Sequence, residues 1–248
     1  ERYVKAVGYA TKAKRHGRPR MVLLGDIVGE SEDAVARGAS HVIRLANSRG
    51  AEGFVAVSAE ARKLFWLDRA RTAAIARHTN AFKINEDVVI PLDRLGDYTD
   101  GIERINIELS LANKIALCDA LAAFFAGPSV SQCWGPADDA RPGVEAIAAK
   151  IDEARALIAA VRERWQDLRD RIDATFVALQ NRPVIASWKS ELKAPLEGIF
   201  SGLAYAGVSG CSAAIHGKVL RSRVFVGLHM HAGDGNVHTN LPVNSDDY

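Results

Sequence analysis

The residues best equipped for chemistry stand near the C-terminal end of the chain. They are His229, His231, His238 and Asn240, in the run RVFVGLHMHAGDGNVHTNLPV. Imidazole is the commonest metal ligand and takes up its proton near neutral pH. Asp234-Gly235 lies between two alternating runs, the strongest short hairpin signal. A two-residue turn centred there makes Ala232 face Val237, His231 face His238 and His229 face Asn240. Side chains alternate along a strand, so these three histidines and Asn240 share one face. Directly opposed residues hold their Cβ atoms about 4.5–5.5 Å apart, which lets two imidazoles reach one ion at Zn–N distances of about 2.0–2.1 Å. Two ligands do not close a tetrahedral site, so a third protein ligand is required, for example a carboxylate beyond Tyr248. The bland reading stands beside this one: Asp-Gly is only a turn, and strand histidines are ordinary polar residues.

A hairpin needs a sheet and a supporting layer. Residues 21–28, MVLLGDIV, read as a short apolar strand. A helix follows from about Ser31 to Ser48, with Ser31 as its cap and Asp33 in its first turn. Phe54–Val57 read as a second strand, and Ser58 opens a helix to about Arg77. The segment FKINEDVVIP, Phe82–Pro91, alternates as a third strand. This strand–helix alternation is the grammar of an α+β layered domain. Asp93–Phe125 is helical in pattern, and a Gly-, Pro- and Ser-rich loop spans Gly127–Gly143. Ile147, Ile151, Ala154, Ile158, Val161, Trp165, Leu168, Ile172, Phe176 and Leu179 then recur at helical spacing. The charged face of that helix, with Lys150, Asp152, Glu153 and Arg162, reads as solvated. The fold expected is an antiparallel, ferredoxin-like sheet with helices on one face and a helical insertion over about residues 93–200, all in one domain.

Composition bounds the possibilities. The chain has 248 residues, 48% hydrophobic and 25% charged, with a formal net charge of +2. That is ordinary globular composition, without the basic block a nucleic-acid partner would need. Cys118, Cys133 and Cys211 form no CxxC pair, so they read as reduced, buried thiols in a cytoplasmic protein. No apolar run reaches the roughly 20 residues of a membrane span, and no signal peptide is visible. Both ends of the chain read as cuts within a longer polypeptide.

HAGDGNVHTN, His231–Asn240, resembles the histidine-containing signature of the C-terminal domain of FAD-linked oxidases of the vanillyl-alcohol-oxidase class. D-lactate, glycolate and D-2-hydroxyglutarate dehydrogenases belong to that family. FKINEDVVIP resembles its lysine-bearing strand, and Trp66-Leu-Asp-Arg69 its Trp-x-x-Arg segment. The whole is similar to the middle of a long bacterial version in which iron–sulfur modules follow the flavin region. The resemblance implies a substrate-side domain of a flavin-dependent D-2-hydroxy-acid dehydrogenase. His231 and His238 would bind a divalent metal, commonly zinc, with His229 supporting a ligand from behind. Asn240, Lys83 and Arg69 would contact substrate. The spacing from Trp66 to Lys83 is one residue short of the family pattern, so Arg71 rivals Arg69 as the carboxylate clamp, and Thr72 also faces the site. FAD would be held by a preceding domain of the same polypeptide. A metal-binding glutamate and a histidine base would follow Tyr248, so the isolated chain is expected to be inactive. Electrons would leave to an iron–sulfur module or a quinone, in the cytoplasm or at the inner-membrane surface.

Plainer readings compete. Lys83, Arg69 and Arg71 also suit a solvated surface. The histidine hairpin could serve a metal-dependent hydrolase, although no HExxH motif accompanies it. The long amphipathic helix could instead dock a partner in a non-enzymatic domain. His16, His41, His78 and His216 have no constellation around them in the sequence.

Overall fold

The structure, a computed structural model, describes residues 22–53, 55–72, 81–134 and 143–244, and the side chains at 68–72, 81–83 and 243–244 lie outside the described set. Two compact units divide the chain, Glu1–Ile75 and Ala76–Tyr248.

In the first unit, α1 spans Glu32–Ser48 and α2 spans Ala59–Thr72. Both begin where serine predicts. Ser31 Oγ accepts from Ala34 N at 3.2 Å, and Ser58 Oγ accepts from Ala61 N at 3.1 Å. Each satisfies an amide that the first helical turn leaves unpaired, and Glu32, Asp33 and Glu60 complement the positive end of the helix dipole. The two strands expected here do not form. Residues 22–29 and 55–57 have no sheet partner; Met21 and Phe54 lie outside the described residues. Leu23, Val28 and Val57 are instead largely exposed. An apolar run of four to eight residues becomes a strand only when a neighbour takes its backbone groups, and periodicity does not report that neighbour.

The second unit is α+β. β1 (Ala81–Val89), β2 (Gly227–His231) and β3 (Asn236–Asn244) form an antiparallel sheet in the order β1-β3-β2. After a 3-10 turn at Leu92–Arg94 comes α3, Leu95–Ala126. By length and composition this helix is apolar enough to cross a membrane, which the sequence reading had not credited. Here it carries the core: Leu111, Ile115, Leu117, Cys118, Leu121 and Phe125 are buried. α4, Val144–Asp170, packs against it through Ala154, Ile158, Val161, Trp165 and Leu168.

The expected single helix to residue 179 breaks at Arg171, and α5 resumes over Ile172–Asn181. At the break, Thr175 Oγ1 donates to the Leu168 carbonyl at 2.9 Å and to the Arg171 carbonyl at 3.0 Å. The apolar period continues through the break, so periodicity does not show it. A π-helical turn, Trp188–Lys193, leads into α6, Ala194–Ile199, and a 3-10 turn at Leu203–Tyr205 into α7, Ala206–Arg221.

The reading of three reduced thiols is overturned. Cys133, in a 3-10 turn at Pro128–Cys133 within the expected loop, is bonded to Cys211 on α7 across 78 residues of sequence. Gly207 makes the approach feasible, because a Cβ there would lie 2.1 Å from the Cys133 carbonyl oxygen. Cys118 remains a free buried thiol, and burial pushes its pKa up to about 12.

Candidate functional site

The sheet collects the site. β3 is the middle strand, and its two sides do different work. Val237 is fully buried, and Thr239 Oγ1 shares a 2.9 Å hydrogen bond with Tyr98 OH on α3. This side holds the sheet to the helical layer. The alternate positions, His238 and Asn240, share the opposite side with His229 and His231.

The hairpin register differs from the expected one. His229, not His231, opposes His238; His231 opposes Asn236, and Gly227 opposes Asn240. The turn takes four residues, Ala232–Gly235, with Asp234 N donating to His231 O at 3.0 Å. β1 determines this. Gly235 has φ 71°, and Ile90 N donates to its carbonyl at 2.8 Å. A Cβ on Gly235 would lie 2.1 Å from the Ile90 carbonyl oxygen. The turn is thus seated on the end of β1, and the pairing moves by two residues. A shift of two keeps every side chain on its original face. The three histidines and Asn240 therefore still share one surface, but His229 stands in the cluster as closely as His231 does.

The ring centres are 5.6 Å apart for His229–His238, 5.6 Å for His231–His238 and 6.2 Å for His229–His231. β1 adds partners to the same face: Asp87 opposes His238 and Asn85 opposes Asn240. Asp87 Oδ1 lies 2.5 Å from His238 Nδ1, and Asn85 Nδ2 donates to the same carboxylate oxygen at 3.4 Å. The sequence reading missed Asp87 as a functional partner. The signal was its alternation with Lys83 and Asn85, but only pairing with β3 reveals the histidine beside it.

Asn240 is 3% exposed, and its Nδ2 donates to Gly227 O and His238 O. Its Oδ1, like that of Asn236, is buried without a hydrogen-bond partner. A buried unsatisfied acceptor costs about 1–3 kcal/mol, which a donor on a bound ligand would recover.

For a metal, the face is suggestive and incomplete. Rings bound to one ion through Zn–N bonds of about 2.0–2.1 Å have centres roughly 5 Å apart, close to the spacing here. The Asp87 contact occupies His238 Nδ1 and leaves Nε2 for a ligand, the usual device for orienting a metal-bound imidazole. Yet among the described residues no group of three or more His, Cys, Asp or Glu is placed to hold an ion. The imidazoles are gathered without forming a coordination shell.

Of the other expected site residues, Lys83 lies on β1, paired with Pro242 of β3. Arg69, Arg71 and Thr72 lie in the last turns of α2, in the first unit. The side chains of all four are outside the described residues.

Residues 7–119 match the model of a family described as FAD linked oxidases, C-terminal domain. That span holds Arg69, Arg71, Thr72, Lys83 and Asp87, and ends well before the histidine hairpin. No curated protein and no solved structure matches the chain.

Proposed function

From this likeness to the FAD-linked oxidases, we propose that the chain is the substrate-side domain of a flavin-dependent oxidoreductase acting on a small D-2-hydroxy acid. The observation that carries the reading is the sheet face bearing His229, His231, His238, Asn240 and the Asp87–His238 pair, reached by a strand that lies within the matched span.

The product would be the 2-oxo acid. By the resemblance, Lys83, Arg69 or Arg71, and Thr72 would be the substrate contacts; a guanidinium suits the substrate carboxylate through two parallel hydrogen bonds. The unsatisfied Asn240 Oδ1 would accept from the 2-hydroxyl. Oxidation removes the hydroxyl proton and, from C2, a hydride. FAD, which another domain of the polypeptide would hold, would supply the two-electron acceptor, with an iron–sulfur module or a quinone as the onward acceptor. His231 and His238, with a carboxylate from elsewhere in the polypeptide, would hold a divalent ion such as zinc, which would supply a Lewis acid for the hydroxyl. Asp87 would fix the tautomer of His238 and keep its Nε2 free for that ion. The same pair favours a second reading, with His238 as the base that accepts the hydroxyl proton. An imidazole oriented by a carboxylate is a recurrent general base.

The test is an anaerobic visible spectrum of the complete polypeptide that carries this chain, with D-lactate, glycolate and D-2-hydroxyglutarate added in turn. Bleaching of a flavin band by one of them is expected. A protein with no flavin band would overturn the proposal. Zinc titration and pH–rate profiles of the complete polypeptide separate the two readings of His238. The ligand role expects binding that is lost in His238→Ala. The base role expects a step in the pH–rate profile, lost in the same variant, without any zinc dependence.

A further inference from the structure

A cleft of about 330 Å³ opens between α3, α7 and the segment leading into β2. It shares no residue with the histidine face. Asn106 fixes its shape from α3: the side-chain oxygen accepts from Val226 N at 2.7 Å, and Nδ2 donates to Val226 O at 2.9 Å. The segment carrying Arg223, Val224 and Phe225 is thereby held as one wall.

The charges in this cleft are unbalanced. Lys114 is half-buried, and its Nζ donates to Ser110 Oγ at 2.6 Å rather than to a carboxylate. Arg223 lies over the Phe225 ring, 5.1 Å from its centre. Among the described residues neither cation has an acidic group within ion-pair distance. The acid that most influences Lys114 is Glu191, which is already bound by Arg164, Trp165 Nε1 and Ser187 N. Burial, and then the charge of Arg223, lower the Lys114 pKa.

The remaining wall is aromatic. His216 stacks on Trp188 with ring centres 4.5 Å apart and planes 9° from parallel. Burial lowers the His216 pKa, so the ring is the neutral partner in this stack at neutral pH. Leu117, Val219 and Val224 supply apolar surface. Convergent cations beside apolar and aromatic walls are the pattern of a small-molecule site.

We propose that this cleft binds a small organic anion, its acidic head on Lys114 and Arg223 and its apolar body against Trp188, His216 and Phe225. The head is a carboxylate or a phosphate, which both cations recognise. The volume limits the body to about one ring or a short chain.

The test is calorimetric titration of the 248-residue chain with phenylacetate, phenyl phosphate, inorganic phosphate and uncharged benzyl alcohol, in parallel with tryptophan fluorescence. Saturable binding of a phenyl anion is expected, with benzyl alcohol weaker by about tenfold or more. The tighter of phenylacetate and phenyl phosphate identifies the head group. Lys114→Gln and Arg223→Gln should each weaken that ligand by about tenfold, and Trp188→Phe should remove the fluorescence response. Arg223 is exposed, so its variant reads the site even where Lys114→Gln fails to fold. Absence of saturation to about 10 mM, or equal affinity in Arg223→Gln, overturns the proposal. Inorganic phosphate binding as tightly as phenyl phosphate overturns the organic body.

Discussion

Asp87 shows how one residue gives a histidine a direction. A neutral imidazole carries its proton on either nitrogen, and the hydrogen bond at one nitrogen decides the other. With Asp87 at His238 Nδ1, that nitrogen carries the proton and Nε2 presents its lone pair. Nitrogen-15 spectra of the neutral ring should therefore show the Nδ1–H tautomer, and Asp87→Ala should abolish that preference. If the histidines bind zinc, the same change should weaken binding by about 10–100-fold. A wild-type ring found in the Nε2–H form would rule out this orientation.

At the scale of the element, the hairpin depends on Gly235. Its positive φ is left-handed backbone, and its missing Cβ lets the turn sit on Ile90. Gly235→Ala should destabilise the chain by about 2 kcal/mol or more, measured by urea unfolding. Gly233, in the same turn, has open space where its Cβ would be. Gly233→Ala should cost about 0.5 kcal/mol or less. Equal effects would mean that the seating on β1 does not set the register. A two-residue turn was the reasonable expectation from Asp-Gly, because local sequence reports turn chemistry. The third strand that lengthened the turn is about 145 residues away in the sequence. The helix starts at Ser31 and Ser58 were legible for the converse reason: a cap is a contact over three residues.

In the whole molecule, the Cys133–Cys211 bond ties the turn after α3 to α7, and α3 and α4 bury a common core between them. Reduction should lower stability by about 2–4 kcal/mol, read as a lower midpoint in thermal or urea unfolding. The native, unreduced chain should give no rapidly reacting thiol, since Cys118 is 0% exposed and held as the neutral form; unfolding should release one. Two reactive thiols in the native chain would show that the bridge is absent.

The sequence alone determined which hairpin residues share a face, where the helices after Ser31 and Ser58 start, and which stripe of the Val144–Asp170 helix enters the core. Each depends on period or on contacts over a few residues, and both are written along the chain. His229, His231, His238 and Asn240 stayed together even though their pairing moved, because a two-residue slip conserves the face. Tertiary structure decided the rest. It denied a sheet partner to residues 22–29 and 55–57, joined Cys133 to Cys211, and set Asp87 beside His238. It also gathered Lys114, His216 and Arg223 around one cleft. These are meetings between segments distant in sequence, fixed by packing, and no local pattern encodes them.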